Sequence, residues 1–118
     1  MTNIQTYELP NTRTFLKLRL VVITETLDPS GYAFIQYEHG LGKIVAVDGF
    51  YTTTTISNNR ILTAHGNGNF QTDVDADYSL CTFDITRSYL EVTFINYNSS
   101  SPRTIIGYFI LNADVAGY

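Results

Sequence analysis

Tryptophan is absent from the 118-residue chain, cysteine and methionine occur once each, and proline three times. A single thiol, Cys81, cannot form an intramolecular disulfide, which excludes a small secreted scaffold held by cross-links. It sits in YSLCTFD, inside an alternating apolar pattern, and reads as a small buried hydrophobe rather than a reactive thiol. Cations are also few. Arg13, Lys17, Arg19, Lys43, Arg60, Arg87 and Arg103 lie scattered against 11 acids, for a net charge of −4 and a pI near 4.8. With no basic run, nucleic acid is not an expected partner. No apolar run is long enough to span a membrane as a helix. The opening MTNIQTYELPNTRTF has neither the basic start nor the apolar core of a signal peptide, so the expectation is synthesis in a cytoplasm and exit, if at all, within a particle or on lysis. Helical patterning is missing as well: no segment of ten or more residues keeps a 3.6-residue period.

What is present suits a pleated sheet. The chain is 44% hydrophobic and holds nine Tyr and seven Phe, with abundant Thr, Ile and Val. Its length allows one domain, residues 1–118, with one core. Residues 1–13 read as an extended arm pairing at a sheet edge. TFLKLRLVVITET, 14–26, alternates inward Leu16, Leu18, Leu20 and Val22 with outward Lys17 and Arg19. LDPSG turns the chain, with Pro29 supplying the fixed φ and Gly31 the permissive one. Further strands are predicted at 32–38, 43–55, 60–64, 70–74, 78–85 and from 88 onward, with a bulge or close backbone approach at Gly49 and loops at 39–42 and 65–69. The pattern predicts an all-β protein, an antiparallel β-sandwich or jelly-roll-like barrel.

The last segment poses a question. Leu90, Val92 and Phe94 alternate with Glu91 and Thr93, but Ile105, Ile106, Tyr108, Phe109, Ile110 and Leu111 are apolar on both faces. Either both faces are internal, or Ile106, Tyr108 and Ile110 form an oligomer interface.

Residue chemistry points away from catalysis. DVDAD, with Asp73, Asp75 and Asp77, and Asp84 in the twelfth position, resembles a calcium loop, but Tyr78 stands where the sixth-position glycine belongs. It reads as a solvated hairpin turn. His39 and His65 each precede glycine in separate loops, and nothing in the sequence joins them as a metal pair. No nucleophile elbow, phosphate loop or dinucleotide loop is present. No enzyme, metal or cofactor is expected. Tyrosine faces and loop amides suit saccharide recognition, because a flat ring stacks on C–H groups and an amide pairs with vicinal hydroxyls. The candidate ligand-binding residues are His39, Tyr51, Asn58, Asn59, His65, Asn67, Asn69, Tyr97 and Asn98, in loops around 39–42, 56–59, 65–69 and 97–102.

A family resemblance accompanies this reading. From Lys43 to Asp114, KIVAVDGFYTTT, NNRIL, and YLEVTFINYNSSS leading into GYFILNAD look like the C-terminal head domains of bacteriophage tail fibres and receptor-binding proteins. The stretch is also similar to the H-type lectins, whose final-strand Trp is here Tyr108 or Phe109. The resemblance implies a homotrimer of β-sandwiches with the last strands near a threefold axis. It also implies a receptor or glycan held at tips or subunit clefts. The expected function is a virion module binding host-surface glycan. The alternative is a structural adaptor or accessory protein of a baseplate or capsid, partnered by other virion proteins, with no small ligand.

Overall fold

The structure, a computed structural model, describes residues 2–10, 16–53, 61–63, 65–66 and 79–114. Strands run in the order β1 (Asn3–Leu9), β2 (Leu16–Leu27), β3 (Tyr32–Glu38), β4 (Lys43–Thr53), β5 (Ile61–Thr63), β6 (His65–Gly66), β7 (Ser79–Ile85), β8 (Tyr89–Asn96) and β9 (Arg103–Asp114). They form a five-stranded sheet, β1-β2-β9-β4-β5, and a four-stranded sheet, β3-β8-β7-β6. All pairings are antiparallel except β6 with β7. The architecture is the expected all-β sandwich.

The spine of the wide sheet is β2 paired with β9 from Leu16↔Asp114 to Leu27↔Arg103. On β9 burial alternates without a break. Ile105, Phe109, Leu111 and Ala113 are fully buried, while Ile106, Tyr108 and Ile110 are half-buried on the opposite face. The strand is therefore not internal on both sides. Its inner side chains meet Val21 and Ile23 of β2, Tyr51 of β4, and Leu90, Val92 and Phe94 of β8 in one core. Phe83 of β7 packs edge-on against Phe109, ring centroids 5.5 Å apart. Gly107 lies opposite Ile23 on one side and Tyr51 on the other. A Cβ there would fall 2.7 Å from the Phe109 ring and 3.0 Å from the Phe94 ring. Close packing of two aromatics thus requires glycine at this position. Across the layers, the Tyr51 hydroxyl donates to the Ser79 carbonyl at 3.2 Å.

Four local expectations are corrected. On β2 the core side chains are Val21, Ile23 and Leu27, so the half-buried Leu18, Leu20 and Val22 take the outer face of the sheet rather than the inner one. The irregularity in β4 falls between Ile44 and Ala46, not at Gly49. Gly49 is instead buried opposite Phe109. In the Asp28–Gly31 turn the positive φ, 60°, belongs to Ser30. With Pro29 before it and Gly31 N–H donating to the Asp28 carbonyl at 2.9 Å, this is a type II turn carrying serine where glycine is usual. Gly31 is needed for space, since a Cβ would lie 2.9 Å from the Asp28 oxygen. Finally, His65–Gly66 forms a short strand beside β7 rather than a loop.

Candidate recognition site

Two ends of the sandwich are each organised by one buried polar side chain. At the first end, β8 places Leu90, Val92, Phe94 and Asn96 on its inward face, and Asn96 is fully buried. A buried amide must find partners. The Asn96 Nδ2 group donates to the carbonyls of Asp28, at 3.1 Å, and Ser101, at 3.0 Å. Its Oδ1 accepts from the Asn98 N–H at 3.0 Å. The Asn96 N–H donates to the Gly31 carbonyl and the Ser30 N–H to the Asn98 carbonyl, at 2.8 and 2.9 Å. The turn 28–31 and the loop 97–101 are therefore locked together.

Within that loop, Asn98 Oδ1 accepts from the Ser100 and Ser101 N–H groups and from the Ser100 hydroxyl, at 2.9 to 3.0 Å. The outcome is a pre-set platform. Tyr97, Asn98, Ser99 and Ser100 line an open cleft of about 300 Å³. Tyr97 is 46% exposed. Nearby, β3 runs along the edge of the narrow sheet, with Tyr32 paired to Ile95 and Phe34 paired to Thr93. Tyr32 and Phe34 are the most exposed large apolar side chains described, at 73% and 56%. One phenol, one amide and two hydroxyls thus border a cleft beside further exposed aromatic surface. Such a set can hold a polyhydroxyl ligand by stacking and hydrogen bonding.

The second end is built differently. His39 is buried; its Nδ1 accepts from the Leu41 N–H and its Nε2 meets the Thr86 carbonyl, both at 3.1 Å. Because a carbonyl only accepts, the ring holds its proton on Nε2. The His39 N–H donates to the Ser88 carbonyl at 3.0 Å. Arg19 of β2 reaches across with Nη1, donating to the His39 carbonyl at 2.8 Å and the Tyr37 hydroxyl at 3.0 Å, and its Nε pairs with Glu8 of β1. Burial acts to lower the Arg19 pKa, and the bonds to Glu8 and Tyr37 outweigh it and raise the value.

The structure separates the residues singled out in the sequence. Tyr97 and Asn98 come together at the cleft. His39 and Tyr51 do not reach the surface: both are buried and hydrogen-bonded internally, so their assignment as ligand contacts is corrected to structural roles. Asn58, Asn59, Asn67 and Asn69 lie outside the described residues, as do Asp73, Asp75 and Asp77. For His65 only the backbone is described. Asp84 lies on β7 opposite Glu91, and among the described residues no three His, Cys, Asp or Glu side chains gather as a metal site. Ile106, Tyr108 and Ile110 line up on the outer face of the wide sheet. Cys81 is fully buried, and burial pushes its thiol pKa up. Asn96 went unnoticed in the sequence, although its even-numbered place after Leu90, Val92 and Phe94 marks it as inward-facing.

No family model, curated protein or solved structure matches the chain, so nothing known of another protein assigns these residues a role.

Proposed function

We propose that the chain is a non-enzymatic recognition module that binds a surface glycan at the tip formed by 28–32 and 97–101. We further propose that it is borne on a virion, as its resemblance to tail-fibre heads implies. The observation that carries the binding reading is the locked platform around Asn96, which presents Tyr97, Asn98, Ser99 and Ser100 around one cleft. A loop already ordered in the free protein loses little entropy on binding. Among the described residues, the lining of the cleft holds no His, Cys or carboxylate, which favours holding a ligand over acting on a bond. Single saccharide contacts of this kind are weak and gain from presentation in several copies.

The test is a glycan array that includes bacterial surface polysaccharides, run with the protein displayed at high density. Binding to a defined saccharide set, abolished by Tyr97→Ala without loss of the far-ultraviolet spectrum, is the expected result. An empty array would overturn the reading. The adaptor reading draws on a different feature, the apolar outer face of the wide sheet, and predicts co-assembly with other virion proteins without sugar binding.

A further inference from the structure

In the wide sheet, register places Tyr7, Leu20 and Ile110 in one row, and Val22, Tyr108 and Phe50 in the next. These side chains point away from the core. Tyr7 is 49% and Phe50 40% exposed, and Leu20, Val22, Tyr108 and Ile110 between them are half-buried. An apolar field across four adjacent strands is not the polar outer layer that a solvated antiparallel sheet carries. We infer that this face packs against the same face of a second copy of the chain, sheet on sheet across a two-fold axis, in place of the threefold arrangement that the tail-fibre resemblance implies.

Three observations select a second copy as the occupant. The first is charge. Asp48, opposite Ile110, is the one carboxylate among the described residues of the two rows, so a strongly acidic partner is repelled and a strongly basic one finds a single carboxylate to pair with. A flat face with so little charge can serve as its own complement, as an isologous contact requires. An axis running along the strands between β2 and β9 sets β4 of one copy over β1 of the other. The two Asp48 carboxylates then lie at opposite margins, each over the polar groups of Gln5 and Tyr7 rather than over each other.

The second observation is size. At about 4.8 Å between strands and about 3.3 Å per residue, β1, β2, β9 and β4 present a face of roughly 700 Å². Two such faces fall within the range of roughly 1,200–2,000 Å² typical of stable protein pairs.

The third is anatomy. One end of the face carries a polar rim, where the Thr26 and Thr104 hydroxyls share a hydrogen bond at 2.9 Å. This inference stands apart from the glycan reading. In the proposed pair the narrow sheets, with Tyr32, Phe34 and Tyr97, face outward, so both tips stay free.

Light scattering after size exclusion, over a concentration series, tests it. The expected mass is twice the 13.3 kDa of the chain. Tyr108→Asp should raise the dissociation constant roughly 100-fold or more, and Phe50→Lys, at the more open margin and less prone to disturb folding, roughly tenfold. Phe34→Asp, on the other sheet, should leave the mass unchanged. A monomer at every concentration, a trimer, or a pair indifferent to both wide-sheet variants would overturn the inference.

Discussion

The two outer faces of this sandwich are opposites. The narrow sheet presents Gln36 hydrogen-bonded to Glu91 at 2.7 Å, with Thr93 beside them, among exposed aromatics, Tyr32 and Phe34 on the edge strand and Tyr89 at the start of β8. The wide sheet presents a continuous apolar field centred on Val22 and Tyr108. Both sheets bury their inner faces in one core, so the need for a core does not explain the difference. On the proposed reading the difference separates two tasks, recognition at a hydrogen-bonded tip and association along a flat face.

The strongest way to break this comparison is from behind. Gly107→Ala would drive a methyl into the Phe109 and Phe94 rings, at the level where the wide sheet meets the narrow one. Overpacking at such a site costs about 3 kcal/mol, and thermal unfolding should shift down by roughly 10 °C or more. Both outer faces would fail together in this variant, which marks it as a loss of fold.

The next two substitutions separate the ends. Asn96→Ala removes three hydrogen bonds, taking one partner each from the Asn98 N–H and the Ser101 carbonyl and leaving the Asp28 carbonyl only its bond from Gly31, a loss of about 2–3 kcal/mol. Chemical denaturation should show that loss, and saccharide binding should disappear with it. His39→Ala strands the Leu41 N–H and the Thr86 carbonyl and costs about 2 kcal/mol. Glycan arrays of this variant, run where it remains folded, should match those of the parent. Equal loss of binding in both would dissolve the distinction between a recognition end and a structural end.

A smaller effect sharpens the account of the core shared by the two sheets. The Cys81 thiol is buried with its pKa raised, so it should stay unreactive toward a thiol reagent at neutral pH and react once the chain is unfolded. The smallest concerns the tip. Ser30 holds a positive φ that disfavours side chains by about 1 kcal/mol, so Ser30→Gly should leave the melting temperature unchanged or slightly higher.

Much of the fold was legible because strand period and turn residues agree. Residues 32–38 form the strand that their composition predicts, and the arm at 3–9 pairs along β2. The last strand misled because its outward residues are as apolar as its inward ones. Its alternation is visible only in the register, where glycine takes an inward place and Tyr108 an outward one. His39 misled for a different reason. A histidine before glycine has the sequence look of an exposed loop, but this ring turns back to accept from Leu41 two residues on. Tyr51 followed strand parity inward, where its hydroxyl found a carbonyl on the opposite sheet. Asn96 could have been read from parity, since it continues the inward series of β8. Its bond to Asp28 could not, because that carbonyl comes from a turn 68 residues away in sequence.

The central claim is that association and recognition occupy different surfaces. Amide chemical-shift mapping tests it most directly, through a dilution series followed by titration with a saccharide selected from the array. The account predicts that dilution shifts signals from Leu20, Val22, Phe50, Tyr108 and Ile110 while those of 97–101 stay still, and that the saccharide does the reverse. Saccharide-induced shifts centred on β9, or dilution shifts centred on Tyr97 to Ser101, would contradict it.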